Sequence, residues 1–307
     1  MNRFYDMNRI AKFFIVCAVA FVLGLILVVI GITTGGIDGF HKVAEDHSWV
    51  KDGSTEICTV ETKGEFDTVE ATGPIDVVLV GGDYYNNAVK EYDLNEVENP
   101  EPGTVVLRYG NAFDEPGATI DNGTLEIRGI QDDNEHFVGI DFSDEGDAWP
   151  VAIVFCDDKE LKAVKVSSEY ADVEMMGIAF ADADIELNDG DVDLANIRSK
   201  GLKISSDYGD VEVAGDLRGE TEVTLESGDI EIDTLAKLKE YTIKAGSDDG
   251  DIKVGKKELE FPFNEGGDYQ EEGYQYIQEG GKDTLVVRTT YGDIEISTMR
   301  APETVEL

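Results

Sequence analysis

LKISSDYGDVEV, residues 202–213, is one copy of a phrase that recurs through the last third of the chain. ADVEM begins at 171, GDVDL at 190, GDVEV at 209, GDIEI at 228, GDIKV at 250 and GDIEI again at 292. The aspartates of these phrases, Asp172, Asp191, Asp210, Asp229, Asp251 and Asp293, lie 19, 19, 19, 22 and 42 residues apart. A nearly constant period of about 20 residues is the signature of a solenoid, in which each repeat is one structural unit stacked on its neighbours.

Within 202–213 the apolar residues Leu202, Ile204, Val211 and Val213 alternate with Lys203 and Glu212, so each strand has one apolar and one wet face. The same split recurs at Val164, Val166, Val173 and Met175, at Ile185, Leu187, Val192 and Leu194, at Val223, Leu225, Ile230 and Ile232, and at Leu285, Val287, Ile294 and Ile296. No unit buries its apolar face alone, so the units must stack. Gly at the turn accepts a positive φ, and the following Asp bonds nearby backbone N–H groups, so Gly-Asp is first a structural device. From the last core residue to the Asp there are six residues for Val166, Ile204 and Val287 but four for Leu187 and Leu225. This alternation predicts a coil of two units, with SSEYAD, SSDYGD and TTYGD stacked on one edge and LNDGD and LESGD on the other.

Upstream, residues 56–150 carry short alternating runs, ICTVET, FDTVEA, IDVVLV, VVLRY and TLEIRG, separated by GGDYYNN, NPEPG, DEPG and DNG. Period-two alternation bounded by turn residues reads as strands. Residues 130–148 form an acidic connection, after which WPVAIVFCDD and LKAVKV restart the pattern. The expected organisation is an all-β β-solenoid of strand-turn-strand repeats over 151–300, preceded by a β segment at 56–150. An irregular insertion at 256–282 interrupts the repeats, residues 301–307 form a tail, and a seam near 130–150 crosses one continuous β domain.

Residues 13–32, FFIVCAVAFVLGLILVVIGI, hold no charge over the length an α-helix needs to cross a bilayer. Arg3, Arg9 and Lys12 precede this run against Asp6 alone, which places the stub 1–12 in the cytoplasm and the chain beyond it outside. The run is longer than a signal-peptide core and lacks a small-residue cleavage site, so it reads as an uncleaved signal anchor in a single-pass cell-membrane protein. Residues 33–55, with His41, Asp46 and His47, read as a juxtamembrane linker.

With 25 basic and 66 acidic residues the formal net charge is −41, which disfavours nucleic acid and anionic polymers as partners and favours cationic ones. Cys17, Cys58 and Cys156 form no CxxC pair, and no His stands at ligand spacing, so the sequence calls for neither zinc nor any other cofactor. Cys58 and Cys156 read either as one disulfide or as two small buried thiols. Asp189, Asp191, Asp249 and Asp251 are calcium candidates because stacked like charges attract a cation, although they follow no known calcium-loop spacing. Phe261, Phe263, Tyr269, Tyr274 and Tyr276 lie in the insertion and read either as a recognition loop or as a cover for the open end of the core.

The phrase in SSDYGDVEV, LESGDIEI and TTYGDIEI resembles the bacterial adhesin-like domain family DUF4097. FDTVEATGPIDVV, through Phe66, Val69, Gly73, Ile75, Asp76 and Val77, is similar to the opening of the head-GIN adhesin-like domain. The resemblance covers roughly residues 60–300 and implies a right-handed β-helix in the cell envelope, with no active-site residue. The expected role is therefore a non-catalytic, adhesin-like binding or scaffold module whose partner is another envelope protein or a cationic peptide. The alternatives are a stress-signalling accessory acting through a membrane partner and a calcium-binding or carbohydrate-active β-helix. Parallel β-helix enzymes use paired carboxylates, but acids are so frequent here that no pair is specific, and His136 has no nucleophile motif near it.

Overall fold

The computed structural model describes residues 57–92, 94, 100–110, 115–130, 149–260 and 273–299. The span expected at 13–32, the stub and linker flanking it, most of the acidic connection and the tail lie outside these residues. Among the described residues no helix is long and apolar enough to cross a membrane.

The N-terminal part comprises β1 (Ile57–Lys63), β2 (Thr68–Thr72), β3 (Asp76–Val80), helix α1 (Tyr85–Glu91), β4 (Thr104–Gly110), β5 (Gly117–Asp121), β6 (Thr124–Arg128) and β7 (Val151–Phe155). The repeats follow as β8 (Leu161–Tyr170), β9 (Val173–Met176), β10 (Ala179–Asp189), β11 (Val192–Tyr208), β12 (Val211–Ser227), β13 (Ile230–Thr234), β14 (Tyr241–Asp249) and β15 (Ile252–Val254). β16 (Lys257–Leu259), β17 (Tyr276–Gln278), β18 (Asp283–Tyr291) and β19 (Ile294–Thr298) complete the order.

These strands build two parallel walls joined along their sides. The long wall runs β6, β2, β8, β10, the second half of β11, the second half of β12, β18 and β14. The short wall runs β7, β3, β9, the first half of β11, the first half of β12, β13, β19 and β15. One long-wall strand, a turn and one short-wall strand make a rung, and the described residues stack eight rungs. β11 and β12 each leave the short wall of one rung and continue into the long wall of the next. In β11 this bend falls at Asn196, a left-handed residue with φ 52, where the register shifts between Ala195 and Ile197.

The apolar pairs expected to face inward, from Val164 through Ile296, are all buried and belong to one continuous core. At its far end the stack is closed by antiparallel β17 on β14 and β16 on β15, and at its near end by β5 on β6 and by β4 and β1 beyond β7. Covering the open edges in this way hides the unpaired backbone that would otherwise template aggregation.

Three expectations need correction. The coil holds one Gly-Asp unit, not two: the Asp191 N–H donates to Asp172 Oδ1 at 2.9 Å, so successive aspartates are direct neighbours on a single edge. The turns do not alternate in length; the ruler slid. Val166 is in register with Ile185, and Ile204 with Val223, while Leu187 and Leu225 lie opposite Ser168 and Ser206. Measured from register-matched residues, every Asp comes six positions later. What alternates from rung 3 to rung 7 is the last inward side chain, Ser168, Leu187, Ser206, Leu225 and Thr289 in turn, after which rung 8 repeats a hydroxyl with Ser247.

The second correction concerns the boundary at 150, which cuts a rung in half. β6 and β7 form rung 1, β2 and β3 form rung 2, and rung 2 pairs on its other side with β8 and β9. The two β segments are one solenoid. The third concerns GGDYYNN, expected as a turn, whose end enters helix α1. α1 covers a second small core of Val78, Val80, Val106, Ile153 and Phe155, with the Tyr85 ring edge-on to Phe155 at 5.0 Å. Burial on both faces of the sheet explains why IDVVLV and VAIVF are apolar runs rather than alternating ones.

Rung order departs from chain order at both ends. Rung 2 is built from the earliest strands of the two walls yet lies inside the stack. Rung 7, formed by the last strands β18 and β19, is inserted between rung 6 (second half of β12, with β13) and rung 8 (β14 with β15). The insertion at 256–282 is the connection that brings the chain back for this step. Buried Asp283 fixes it, accepting the Gly219 N–H at 2.9 Å and pairing with Arg218 at 3.3 Å.

Candidate functional site along the Gly-Asp edge

At each turn from rung 3 onward the chain leaves the long wall, passes a small residue, Gly or Ala, and enters the short wall at an Asp. The backbone N–H of each Asp donates to Oδ1 of the Asp one rung before. These bonds run Asp172 to Asp76 (2.9 Å), Asp191 to Asp172 (2.9 Å), Asp210 to Asp191 (2.8 Å), Asp229 to Asp210 (2.8 Å), Asp293 to Asp229 (2.7 Å) and Asp251 to Asp293 (2.7 Å). Such bonds to a carboxylate are stronger than neutral ones, and they offset the repulsion of like charges one strand apart. The small residue is required by contact as well as by backbone: at Gly209, φ is +122 and an added Cβ would meet the Gly190 carbonyl oxygen at 2.1 Å.

Where the ladder reaches rung 1, the residue in register with Asp76 is Val151, and the side chain of Trp149 hydrogen-bonds the Asp76 carboxylate. Burial pushes Asp76 up to about 6; the Asp172 N–H opposes this, while the charges of Asp172 and Glu174 add to it. On the outer face of the short wall, Glu174, Asp193, Glu212, Glu231 and Glu295 stand in register and end at Lys253. Partial burial raises Glu231, and Asp233, Glu212 and Glu295 raise it further against the opposing Lys253. Glu174 is raised by burial, while the Tyr92 hydroxyl that donates to it at 2.9 Å acts the other way. The long wall is more balanced: Glu70, Lys165, Asp184, Lys203 and Glu222 follow one another across neighbouring strands.

The structure separates the calcium candidates. Asp189 and Asp191 belong to rung 4, Asp249 and Asp251 to rung 8, and Oδ1 of Asp191 already holds the Asp210 N–H. Among the described residues no three His, Cys, Asp or Glu side chains converge as metal ligands. Of the aromatic insertion, Phe261, Phe263 and Tyr269 lie outside the described residues. Tyr276 is not a surface residue: it closes the end of the core, with Lys257 Nζ 4.8 Å from its ring centroid. Tyr274 is half-buried, with Lys244 Nζ 5.8 Å from its ring. The two described cysteines are free. Cys58 is opposite Tyr109, whereas Cys156 follows Phe155 beside Gly103, about 20 Å away along the sheet, beyond the reach of a disulfide. Burial pushes the Cys156 thiol up to about 12, which makes it unreactive.

One set of exposed residues on this edge was missed by sequence reasoning. Tyr170, Tyr208 and Tyr291 are 52%, 54% and 56% exposed, and they share one column with Asp189, Ser227 and Asp249. Each Tyr precedes its Asp by two residues, and each Tyr rung is one that carries Ser or Thr as its last inward residue. That hydroxyl holds the local backbone: the Tyr170 N–H donates to Ser168 Oγ at 3.1 Å, and Ser206 Oγ donates to the Tyr208 carbonyl at 2.9 Å. The signal lies in SSEYAD, SSDYGD and TTYGD, which set a Tyr two residues before the Asp where LNDGD and LESGD have Asp or Ser.

The model of the family Toastrack DUF4097 matches residues 118–297, from β5 into β19 and more than half of the chain. The chain belongs to this family. The Toastrack match includes every Gly-Asp turn and begins downstream of rung 2. No curated protein matches the chain. Among solved structures, a Clostridium sporogenes protein named for cell adhesion is 12% identical, with 80% of this chain and 100% of that chain covered and a TM-score of 0.43. A Bacteroides fragilis protein named as an adhesin is also 12% identical, with 80% and 98% covered and a TM-score of 0.38.

Proposed function

We propose that this Toastrack protein is a non-catalytic binding or scaffold module of the bacterial envelope, anchored by residues 13–32 with its solenoid outside the cytoplasm. The observation that carries this reading is the Gly-Asp edge. Six rungs repeat one outward chemistry there, and the sheet ladders fix its spacing. A surface that repeats along one axis fits an extended partner, in the way stacked-repeat proteins present long binding faces. Its aspartates are engaged in hydrogen bonds between rungs, as in a structural support. The high negative charge steers basic partners toward the edge, and this attraction weakens with salt.

The test is topology together with capture. Intact cells carrying the chain with an N-terminal and a C-terminal epitope are treated with protease. Loss of the C-terminal epitope alone is expected, and the opposite pattern would remove the envelope reading. Photo-crosslinkers at exposed edge positions are expected to trap a cell-surface component; crosslinking at the edge no stronger than on the long wall would remove the binding role.

A further inference from the structure

The tyrosines recur at every second rung. With strands about 4.8 Å apart, successive tyrosines of the column Tyr170, Asp189, Tyr208, Ser227, Tyr291 and Asp249 stand about 9.6 Å apart. The hydrogen-bonded ladder sets this spacing, so it is fixed before any partner arrives. Glu169, Asn188, Asp207 and Glu226 follow one another on the long-wall side, three of the four acidic, and the aspartate ladder runs on the other side. The nearby cation is Arg288, 3.7 Å from Asp248.

A ligand using the whole column must be narrow, carry positive charge and present the same face about every 9.6 Å. An extended β-strand repeats a face at roughly 6.8 Å or 13.6 Å and falls out of step at the second tyrosine. An α-helix offers about 10.5 Å at seven residues, roughly 0.9 Å off per interval, and its width lifts most of it from a column one side chain wide. A polyproline II segment repeats every three residues at about 9.3 Å, so across two intervals it drifts only about 0.6 Å. Its backbone needs no sheet partner, and aromatic side chains are what proline-rich segments dock against. The acidic flanks select Lys and Arg, whose cations are attracted to exposed tyrosine faces.

We infer that the tyrosine column is a docking track for a basic, proline-rich segment in the polyproline II conformation, with its basic residues three apart. This rests on the binding-module reading and names the partner's chemistry. The experiment uses the full chain in zwitterionic detergent and fluorescent 12-residue peptides read by anisotropy. One peptide is four repeats of Arg-Pro-Pro. A second has the same composition with the arginines clustered, and a third has Glu in place of Arg.

The regular peptide is expected to bind at least tenfold more tightly than its clustered isomer, and the Glu peptide not at all. Changing Tyr170, Tyr208 and Tyr291 together to Ala should abolish the preference for the regular peptide. Changing all three to Phe should keep it, because the rings remain. Equal binding of the two isomers by the unaltered protein would overturn the inference without reliance on any variant. So would an unchanged preference in the Ala variant, or a neutral glycan bound by the tyrosines while the regular peptide is ignored. Surface display and edge crosslinking without peptide preference would remove only the track and leave the module reading in place.

Discussion

Replacing Gly209 by Ala tests whether the rungs are held as closely as the Gly-Asp edge implies. The added Cβ would lie 2.1 Å from the Gly190 carbonyl oxygen and 2.7 Å from its carbon, where an ordinary contact needs roughly 3.3 Å. Rungs 4 and 5 must therefore part by about 1 Å locally. Three bonds cross that gap: Gly190 N–H to the Tyr208 carbonyl at 3.1 Å, Val192 N–H to the Asp210 carbonyl at 3.0 Å, and Asp210 N–H to Asp191 Oδ1 at 2.8 Å. Weakening them costs about 1 kcal/mol each, and Ala at φ +122 adds roughly 1–2 kcal/mol. Stiffening the unfolded chain offsets only about 0.4–1 kcal/mol, which leaves a net loss near 4 kcal/mol. Gly280 is the control, because its φ is +94 but an added Cβ meets nothing within 4 Å. Gly280→Ala is expected to cost about 1 kcal/mol or less, from strain alone. Urea unfolding of the full chain, followed by far-UV circular dichroism, separates the two. If Gly209→Ala falls within 1 kcal/mol of Gly280→Ala, the close stacking described here is wrong.

Three further outcomes follow from the same contacts. Asp210→Asn keeps the acceptor for Asp229 N–H and removes a charge that each ladder neighbour repels by about 1 kcal/mol in water, so it should match or exceed the wild type in low salt. Asp210→Ala should fall about 1–2 kcal/mol below Asp210→Asn in urea unfolding; equal stability would show that the bond contributes nothing. Asp283→Ala should cost about 1–3 kcal/mol because it removes a charged acceptor from the Gly219 N–H and the partner of Arg218, with Asp283→Asn less damaging; no loss in either would disprove the clamp on rung 7. Asp76 titrates near 3.9 in the unfolded chain and about 6 in the folded one, so between those values the folded state holds the extra proton and stability falls as pH rises, levelling off above about 6. Asp76→Asn should flatten that slope in urea midpoints taken from pH 4 to 7, and parallel curves would refute the assignment.

The core was legible residue by residue, because period-two alternation gives the inward face of a strand directly: Leu202, Ile204, Val211 and Val213 are buried as the pattern requires. The coil was misjudged for a local reason. Leu187 and Leu225 face inward like any core residue, but they occupy the place that Ser168 and Ser206 fill in neighbouring rungs. A count that starts from apolar residues therefore jumps two positions, and only cross-strand register reveals it. The same jump hid the tyrosines. Tyr208 has the parity of the core, yet it stands where the walls meet, so it emerges at the edge. Position in the rung, not alternation, decides its exposure. Helix α1 was hidden because Tyr84, Tyr85 and two asparagines look like turn residues until Phe155 and Ile153, distant in sequence, supply something to bury against.

The insertion of rung 7 between rungs 6 and 8 has a consequence in time. During synthesis the residues of rung 8 emerge before those of rung 7, so they have no wall to lie on until β18 and β19 have been made. Until then rung 6 keeps an open edge, and a chain stopped before β18 leaves a bare strand there as a target for proteases or chaperones. At the other end, the first long-wall strand to be made, β2, finishes between β6 and β8. A pull on the chain from its start therefore peels β1 from β4 first and then meets β2, a strand bonded on both sides.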